Sequence, residues 1–285
     1  MTTTLVKAWT GAQKRLKAAG IDSPAIDARL LLEAATGATR TDIITDPYRE
    51  ISDEQGRILE GWLARREKRE PVARILGRKG FWKLLLNLSD HVLIPRPETE
   101  CIVDMILKTT QVGDTFSLAD LGVGSGAILL SVLSERPAAK GLGTDISEEA
   151  LAVARDNAAG LGLDNRAAFL RTSWGSGIAD SSFDYVASNP PYIRSDVIPT
   201  LDPEVRHHDP ILALDGGKNG LAAYEELAPE IFRLLKPGGL TWLEIGFDQS
   251  EAVENLMKNA GFEGVATFLD LSNLPRIVTA RKPLS

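Results

Sequence analysis

Four consecutive residues, Asn189-Pro190-Pro191-Tyr192, carry the most distinctive chemistry in the chain. Pro191 disfavours a helical conformation at Pro190, and both rings fix their own φ, so the segment has few available shapes. Such rigidity can aim a carbonyl. The Asn189 side-chain oxygen and the Pro190 backbone oxygen together suit the two N–H bonds of a planar NH2 group, whose nitrogen is left facing an electrophile. Tyr192 offers an aromatic wall for a flat substrate. A carboxamide nitrogen is barely nucleophilic because its lone pair is delocalised. A site for it gains by fixing orientation and by polarising the N–H bonds as positive charge develops on nitrogen, with no strong general base required.

A second constellation is the run from Leu118 to Ile128, in which Gly122, Gly124 and Gly126 alternate with Val123 and Ser125 after Asp120. Glycines between a strand and its helix permit a tight turn and close backbone approach, and the free N–H groups at the helix start attract a negative group. Nineteen residues beyond Gly126, Asp145 ends the next strand-like stretch, where a carboxylate can accept hydrogen bonds from both ribose hydroxyls. Spacing alone also satisfies the looser dinucleotide fingerprint, with Ala127 at its last small position. The Asp120-x-Gly122-x-Gly124-x-Gly126 arrangement resembles motif I of the S-adenosylmethionine-dependent methyltransferases. That resemblance implies that the loop meets the methionine end of the cofactor and that Asp145 holds its ribose.

The elements that must position these residues follow from periodicity. Strands are expected at 116–121, 141–145, 168–172, 185–188, 241–246, 265–269 and 276–280, and helices at 98–108, 127–136, 148–160, 221–235 and 250–260. Their alternation implies an α/β fold with a largely parallel sheet covered on both faces, and ligands beyond the carboxyl ends of its strands. Residues 1–75 read as a small helical bundle, with apolar residues at three- and four-residue spacing and a helix beginning at Ser23-Pro24. Its basic run Arg65–Arg69, interrupted by Glu67, reads as a solvated helix end. Between the two, 76–97 reads as a hairpin linker: strands near Phe81-Trp82 and 84–88, a turn at 87–90, a returning strand at 92–94, and a stiff exit at Pro95 and Pro97.

Composition sets the outer bounds. The 285 residues suit about two domains, and 44% apolar with 25% charged residues is ordinary for a globular chain. A net charge of −7, from 39 acidic and 32 basic residues, argues against a mainly phosphate-driven partner. One cysteine, Cys101, and three histidines make an internal disulfide impossible and a structural zinc site unexpected. There is no apolar run of membrane-spanning length, and the start Met1–Lys7 lacks a basic region followed by an apolar stretch. A cytoplasmic protein is the expectation.

Taken together, Phe81-Trp82, Leu93-Ile94-Pro95-Arg96-Pro97-Glu98-Thr99-Glu100, Asp120-Leu121-Gly122-Val123-Gly124-Ser125-Gly126-Ala127-Ile128 and Asn189-Pro190-Pro191-Tyr192 resemble the peptide chain release factor glutamine N5-methyltransferases over essentially the whole chain. The run from Ile94 to Glu100 is the most specific piece, because Asn-Pro-Pro-Tyr also occurs in DNA adenine and ribosomal RNA amino-group methyltransferases. The resemblance implies a Rossmann-like class I methyltransferase domain at 98–285, with a seven-stranded mostly parallel sheet, and a substrate-recognition role for residues 1–75. It further implies transfer of a methyl group from S-adenosylmethionine to the glutamine of the Gly-Gly-Gln motif in class I release factors. Asp120, Gly122, Val123, Gly124, Ser125, Gly126, Asp145, Trp174 and Asn189 would contact the cofactor, with Trp174 a flat surface near the adenine. Asn189, Pro190, Pro191 and Tyr192 would contact the glutamine.

A monomer without a nucleic-acid substrate is expected; the alternative is a methyltransferase of adenine or guanine exocyclic amines. Arg96 and Glu98 fit either a cofactor lid or a structural ion pair. His207 and His208 are expected to serve at a loop or helix edge. Two departures stand out: Val123 where the family often has Thr, and Asn273 where it commonly has Gly.

Overall fold

The computed structural model describes residues 3–285, so Met1 and Thr2, the first residues of the start and of the helical region read above, lie outside the described residues. The chain divides into two compact units. One comprises the described residues up to Arg78 together with Asp202–His208, and the other Lys79–Leu201 with Asp209–Ser285.

The first unit is built from α1 (Leu5–Ala18), α2 (Pro24–Thr36), α3 (Arg40–Thr45), α4 (Asp53–Glu67) and α5 (Val72–Leu76), with β1 (Thr3–Thr4) pairing antiparallel to β2 (Glu50–Ile51). Local sequence explains the boundaries. Pro24 occupies the first turn of α2, and Gly37 ends that helix in the left-handed region at φ 70. Thr39 with Asp42 and Ser52 with Gln55 form capping boxes that start α3 and α4. The apolar stripes close over Leu5, Leu16, Leu31, Leu32, Leu59 and Leu63.

The Arg65–Arg69 run is a helix end that is solvated only in part: Arg65 and Lys68 are exposed, but Arg66 is not. Arg66 continues the buried Leu59, Leu63 stripe of α4 and is 5% exposed. Its guanidinium reaches Asp27 Oδ2 at 2.7 Å and Glu204 Oε1 at 3.0 Å, Arg69 reaches Glu204 Oε2 at 2.9 Å, and Arg65 pairs with Glu70.

The second unit takes in, from Lys79 onward, a hairpin of β3 (Arg78–Phe81) and β4 (Leu84–Asn87). It continues through β5 (Ser117–Leu121), β6 (Lys140–Asp145), β7 (Ala167–Arg171), β8 (Phe183–Ser188), β9 (Leu235–Glu244), β10 (Glu263–Leu269) and β11 (Pro275–Arg281). Its helices are α6 (Glu100–Thr109), α7 (Ala127–Glu135) and α8 (Glu148–Gly160), then α10 (Ala222–Leu234) and α11 (Ser250–Asn259); the single turn α9 (Pro203–Arg206) belongs to the first unit. The last seven strands form one sheet in the order β10-β11-β9-β8-β5-β6-β7, parallel from β9 to β7 and antiparallel at β11. Strand residues alternate between two cores. Leu118, Ala187 and Trp242 face α6, α7 and α8, whereas Ala119, Leu121, Val186 and Leu243 face α10 and α11. No helix among the described residues is long and apolar enough to cross a membrane.

The linker reading needs correction. The hairpin turns at Trp82-Lys83, not at 87–90, and 92–94 is not a strand. A positive φ of 53 at Trp82 allows the two-residue turn, and the Trp82 N–H is satisfied by Glu100 Oε1 at 2.8 Å. Phe81 and Leu86 join the core under α6, so the hairpin belongs to the catalytic-sized unit, and the boundary falls between Arg78 and Lys79. Asn273 takes φ 60, the conformation a Gly would supply; Asn is among the few side chains that tolerate it.

Candidate active site

Strand order brings together motifs far apart in sequence. β5 and β8 are parallel neighbours with Asp120 opposite Ala187, so the glycine loop and Asn189-Pro190-Pro191-Tyr192 leave the same edge of the sheet. Ser188 Oγ donates to the Leu121 carbonyl at 2.6 Å, tying the two strand ends. Connections run to opposite sides from β5, which opens a crevice at this edge. It holds a cavity of about 300 Å³.

One wall of the cavity is the glycine loop. Gly122, Gly124 and Gly126 have φ of 77, 52 and 87, and the N–H groups of Gly122 and Val123 both donate to the Thr144 carbonyl, at 2.9 and 2.8 Å. The Val123 side chain is buried, and a Cβ on Gly143 would come 2.7 Å from its Cγ2, so Val123 acts through packing as well as backbone. Gly126 sets the turn into α7 and is not among the lining residues, whereas Gly122, Val123, Gly124 and Ser125 are. Asp145 is held on both oxygens: Gly124 N–H donates to Oδ2 and Ser147 N–H to Oδ1, each at 3.0 Å. The carboxylate keeps further lone pairs for a diol.

Asp120 is 1% exposed. Its Oδ2 accepts from Leu129 N–H at 3.1 Å, and its Oδ1 has no partner. Burial, with the nearby Asp145 charge adding to it, pushes this carboxyl up to about 7. Trp174, at φ 50, lies along the loop: a Cβ on Gly122 would stand 3.6 Å from its ring, and its indole N–H donates to Glu226 at 2.6 Å.

The opposite wall is the Asn-Pro-Pro-Tyr turn. Asn189, Pro190 and Pro191 line the cavity; Tyr192 does not. Instead the Tyr192 hydroxyl donates to Glu244 Oε1 at 3.2 Å, and burial beside that carboxylate raises its pKa. Asn189 Nδ2 donates to Thr99 Oγ1 at 3.0 Å, and Thr99 donates to Glu244 Oε2 at 2.6 Å. Neither Asn189 Oδ1 nor the Pro190 carbonyl accepts a hydrogen bond among the described residues. Gln249 braces the turn from behind, donating to the Tyr192 carbonyl at 3.0 Å.

Sequence reasoning missed Thr99 and Glu244. Thr99 sits inside the run from Ile94 to Glu100, and Glu244 is a lone charge between Leu243 and Ile245 at a strand end; both were legible signals. Arg96 pairs with Asp209, which also accepts the Ile94 N–H at 3.2 Å, a structural use rather than a lid. His207 and His208 belong to the first unit and do not line the cavity.

The cavity's charge discriminates between the two cofactor readings. Asp120, Asp145 and Glu226 line it, with neither Lys nor Arg among the lining residues. A pyrophosphate would meet no cation here. A cationic ligand bearing a ribose would meet Asp120 with its unpartnered oxygen, the doubly held Asp145 carboxylate and the Trp174 ring.

Comparison with known proteins agrees. Residues 7–77 match the PrmC N-terminal domain and residues 99–200 the methyltransferase small domain. A release factor glutamine methyltransferase of Caulobacter vibrioides is 63% identical over 282 residues, covering 99% of this chain and 98% of its own. That of Agrobacterium fabrum is 42% identical over 275 residues, with 95% of each chain covered. A methyltransferase structure from Pyrococcus furiosus shares the fold, with a TM-score of 0.52 at 20% identity over 82% of this chain and 100% of that one. The chain belongs to the release factor glutamine methyltransferase family.

Proposed function

We infer that the protein methylates the side-chain amide nitrogen of the glutamine in the Gly-Gly-Gln motif of class I release factors. One observation carries this most directly: Asn189 Oδ1 and the Pro190 carbonyl are two unsatisfied acceptors on the wall of an acidic cavity. That pair matches the two N–H bonds of a carboxamide. S-adenosylmethionine, when bound, supplies an electrophilic methyl on a sulfonium. The protein's own groups hold and orient. Gly122, Val123, Gly124 and Ser125 offer backbone, Asp145 binds the ribose, Trp174 faces the adenine, and Asp120 faces the cationic methionine end. Asn189 and Pro190 fix the amide plane, and their pull on its N–H bonds grows as charge develops on nitrogen. Pro191 stiffens the turn, and Tyr192 supports it from behind through Glu244.

A protein substrate suits the electrostatics better than a nucleic acid. The net charge is −7, and Arg65, Arg66 and Arg69 are each engaged by carboxylates of their own unit. Phosphate contacts there would have to break those pairs. The reading also assigns partner recognition to the helical unit, with the enzyme acting as a monomer in the cytoplasm, where release factors work.

Incubation with S-adenosylmethionine and a folded release factor, followed by mass spectrometry, is expected to show one added methyl on the Gly-Gly-Gln glutamine. Methyl transfer to DNA or ribosomal RNA but not to the release factor would reverse the assignment.

A further inference from the structure

Glu244 is the charge that the reaction as described leaves without a task. Its side chain ends β9 inside the core and is 1% exposed. Thr99 Oγ1 donates to Oε2 at 2.6 Å, the Tyr192 hydroxyl donates to Oε1 at 3.2 Å, and the Tyr224 hydroxyl donates to its backbone carbonyl at 2.8 Å. Thr99 has one hydroxyl proton, and it is committed to the hydrogen bond that Thr99 donates to Glu244. The Thr99 oxygen then only accepts, and it accepts from Asn189 Nδ2 at 3.0 Å. An Asn amide has a donor end and an acceptor end. With Nδ2 committed to Thr99, Oδ1 is the end left for a substrate.

This chain has a direction, and a proton on Glu244 Oε2, with the Asn189 amide turned over, would reverse it. A protonated Glu244 would donate to Thr99, Thr99 would donate onward to Asn189 Oδ1, and Nδ2 would be the end left for the substrate. A donor would then face the NH2 of the incoming amide. We propose that Thr99 and Glu244 are positioning residues that decide, by the direction of this hydrogen-bond chain, whether Asn189 presents an acceptor or a donor to the substrate. The proposal rests on the carboxamide reading of the site.

The titration range fits. Burial pushes the Glu244 carboxyl up to about 7, against the pull of Thr99, Arg276 and Tyr192, and Glu98 adds to the rise. The other groups around it are Cys101 on α6, Tyr224 on α10, and Asp270, which pairs with Arg276 of β11 at 3.1 Å. Cys101, Tyr192 and Tyr224 are shifted upward from alkaline values and Asp270 downward, so these titrate away from neutrality.

The test uses the full chain with a release factor and saturating S-adenosylmethionine, from about pH 5.5 to about pH 9. Wild-type kcat is expected to fall about tenfold per pH unit below about 7. Glu244→Gln removes that limb. Thr99→Val lowers kcat about a hundredfold, leaves cofactor affinity within about twofold, and is rescued by Thr99→Ser. In the ligand-free protein, the ¹³C-labelled Glu244 carboxyl titrates near pH 7, and higher in Thr99→Val. An acid limb that persists in Glu244→Gln, wild-type kcat in Thr99→Val, or a Glu244 titration near the ordinary 4.5 overturns the proposal. Absence of methyl transfer by the wild type at every pH would instead refute the carboxamide reading, and the carboxyl titration would still decide the state of the chain.

Discussion

The substitution Asp120→Asn isolates the most costly charge in the cavity wall. The wild-type carboxyl rises from 3.8 to about 7 because it is buried with one oxygen unpartnered. Between those values the folded protein keeps a proton that the unfolded chain has released, so wild-type stability falls as pH rises through this window. The slope is about 1.4 kcal/mol per pH unit for one proton. From pH 5 to the folded pKa this amounts to about 3 kcal/mol, and nothing further is lost above it. The carboxamide in Asp120→Asn cannot ionise, yet it keeps an oxygen for the Leu129 N–H. Urea denaturation without ligand, at about pH 5 and about pH 8, is therefore expected to show the variant gaining about 3 kcal/mol on the wild type across that interval. Subtracting the two proteins cancels the titrating groups that do not couple to Asp120, Glu244 included. The variant is also expected to bind S-adenosylmethionine more weakly at pH 8, since it has lost the charge that faces a cation. Parallel stability curves for the two proteins would refute the reasoning, because Asp120 would then titrate alike folded and unfolded.

Asn189→Ala is expected to lower kcat about a hundredfold or more with little change in cofactor affinity, while Asp145→Ala mainly weakens cofactor binding; equal effects on both measurements would contradict the division of roles. Arg66→Met leaves the buried Asp27 without its cation and Glu204 with Arg69 alone, and denaturation followed by Trp9 and Trp62 fluorescence should report a loss of about 3 kcal/mol in the helical unit. Gly126→Ala places a side chain at φ 87 with its Cβ 2.7 Å from Leu130 Cδ1, and a loss of about 1–2 kcal/mol in thermal unfolding is the expectation.

The catalytic-sized unit was legible because its strands obey short-range rules. The parallel strands are bounded by glycine turns and by helices with clear apolar stripes, and α8 occupies Glu148–Gly160, as its pattern implies. The strand at 241–246 instead begins at Leu235, because Pro237, Gly238 and Gly239, which look like a turn in sequence, form a bulge inside it: Gly238 has φ 78, and the pairing with β8 steps from Leu235 to Leu240. The hairpin was misplaced for a related reason: a positive φ at Trp82 is an outcome of packing that residue type does not announce. Arg66 reads as surface because charge usually is. Only the position of its partners Asp27 and Glu204, 39 and 138 residues away, makes it core. The cavity residues were found because a glycine loop and a Pro-Pro turn constrain backbone locally. Thr99 was passed over within its own motif because its two partners are distant in sequence, Asn189 just after β8 and Glu244 at the end of β9.

Asp120 lines the cavity and Glu244 lies in the core behind Thr99 and Asn189, and burial brings both to about 7. Their ionised forms are the useful ones: Asp120 faces a cation, and Glu244 accepts from Thr99 and so aims Asn189. Their ionised forms are also the expensive ones, since each charge is held away from water. Below neutrality the two groups keep their protons and the fold is more stable. Above neutrality that stability is given up for an electronegative cavity and a correctly directed acceptor. Activity and stability are therefore expected to run in opposite directions with pH across this range. A cationic cofactor softens the conflict, because it lowers the cost of the Asp120 charge on binding. At neutral pH, binding should accordingly release protons from the protein, and calorimetry in buffers of different ionisation enthalpy would read that release directly.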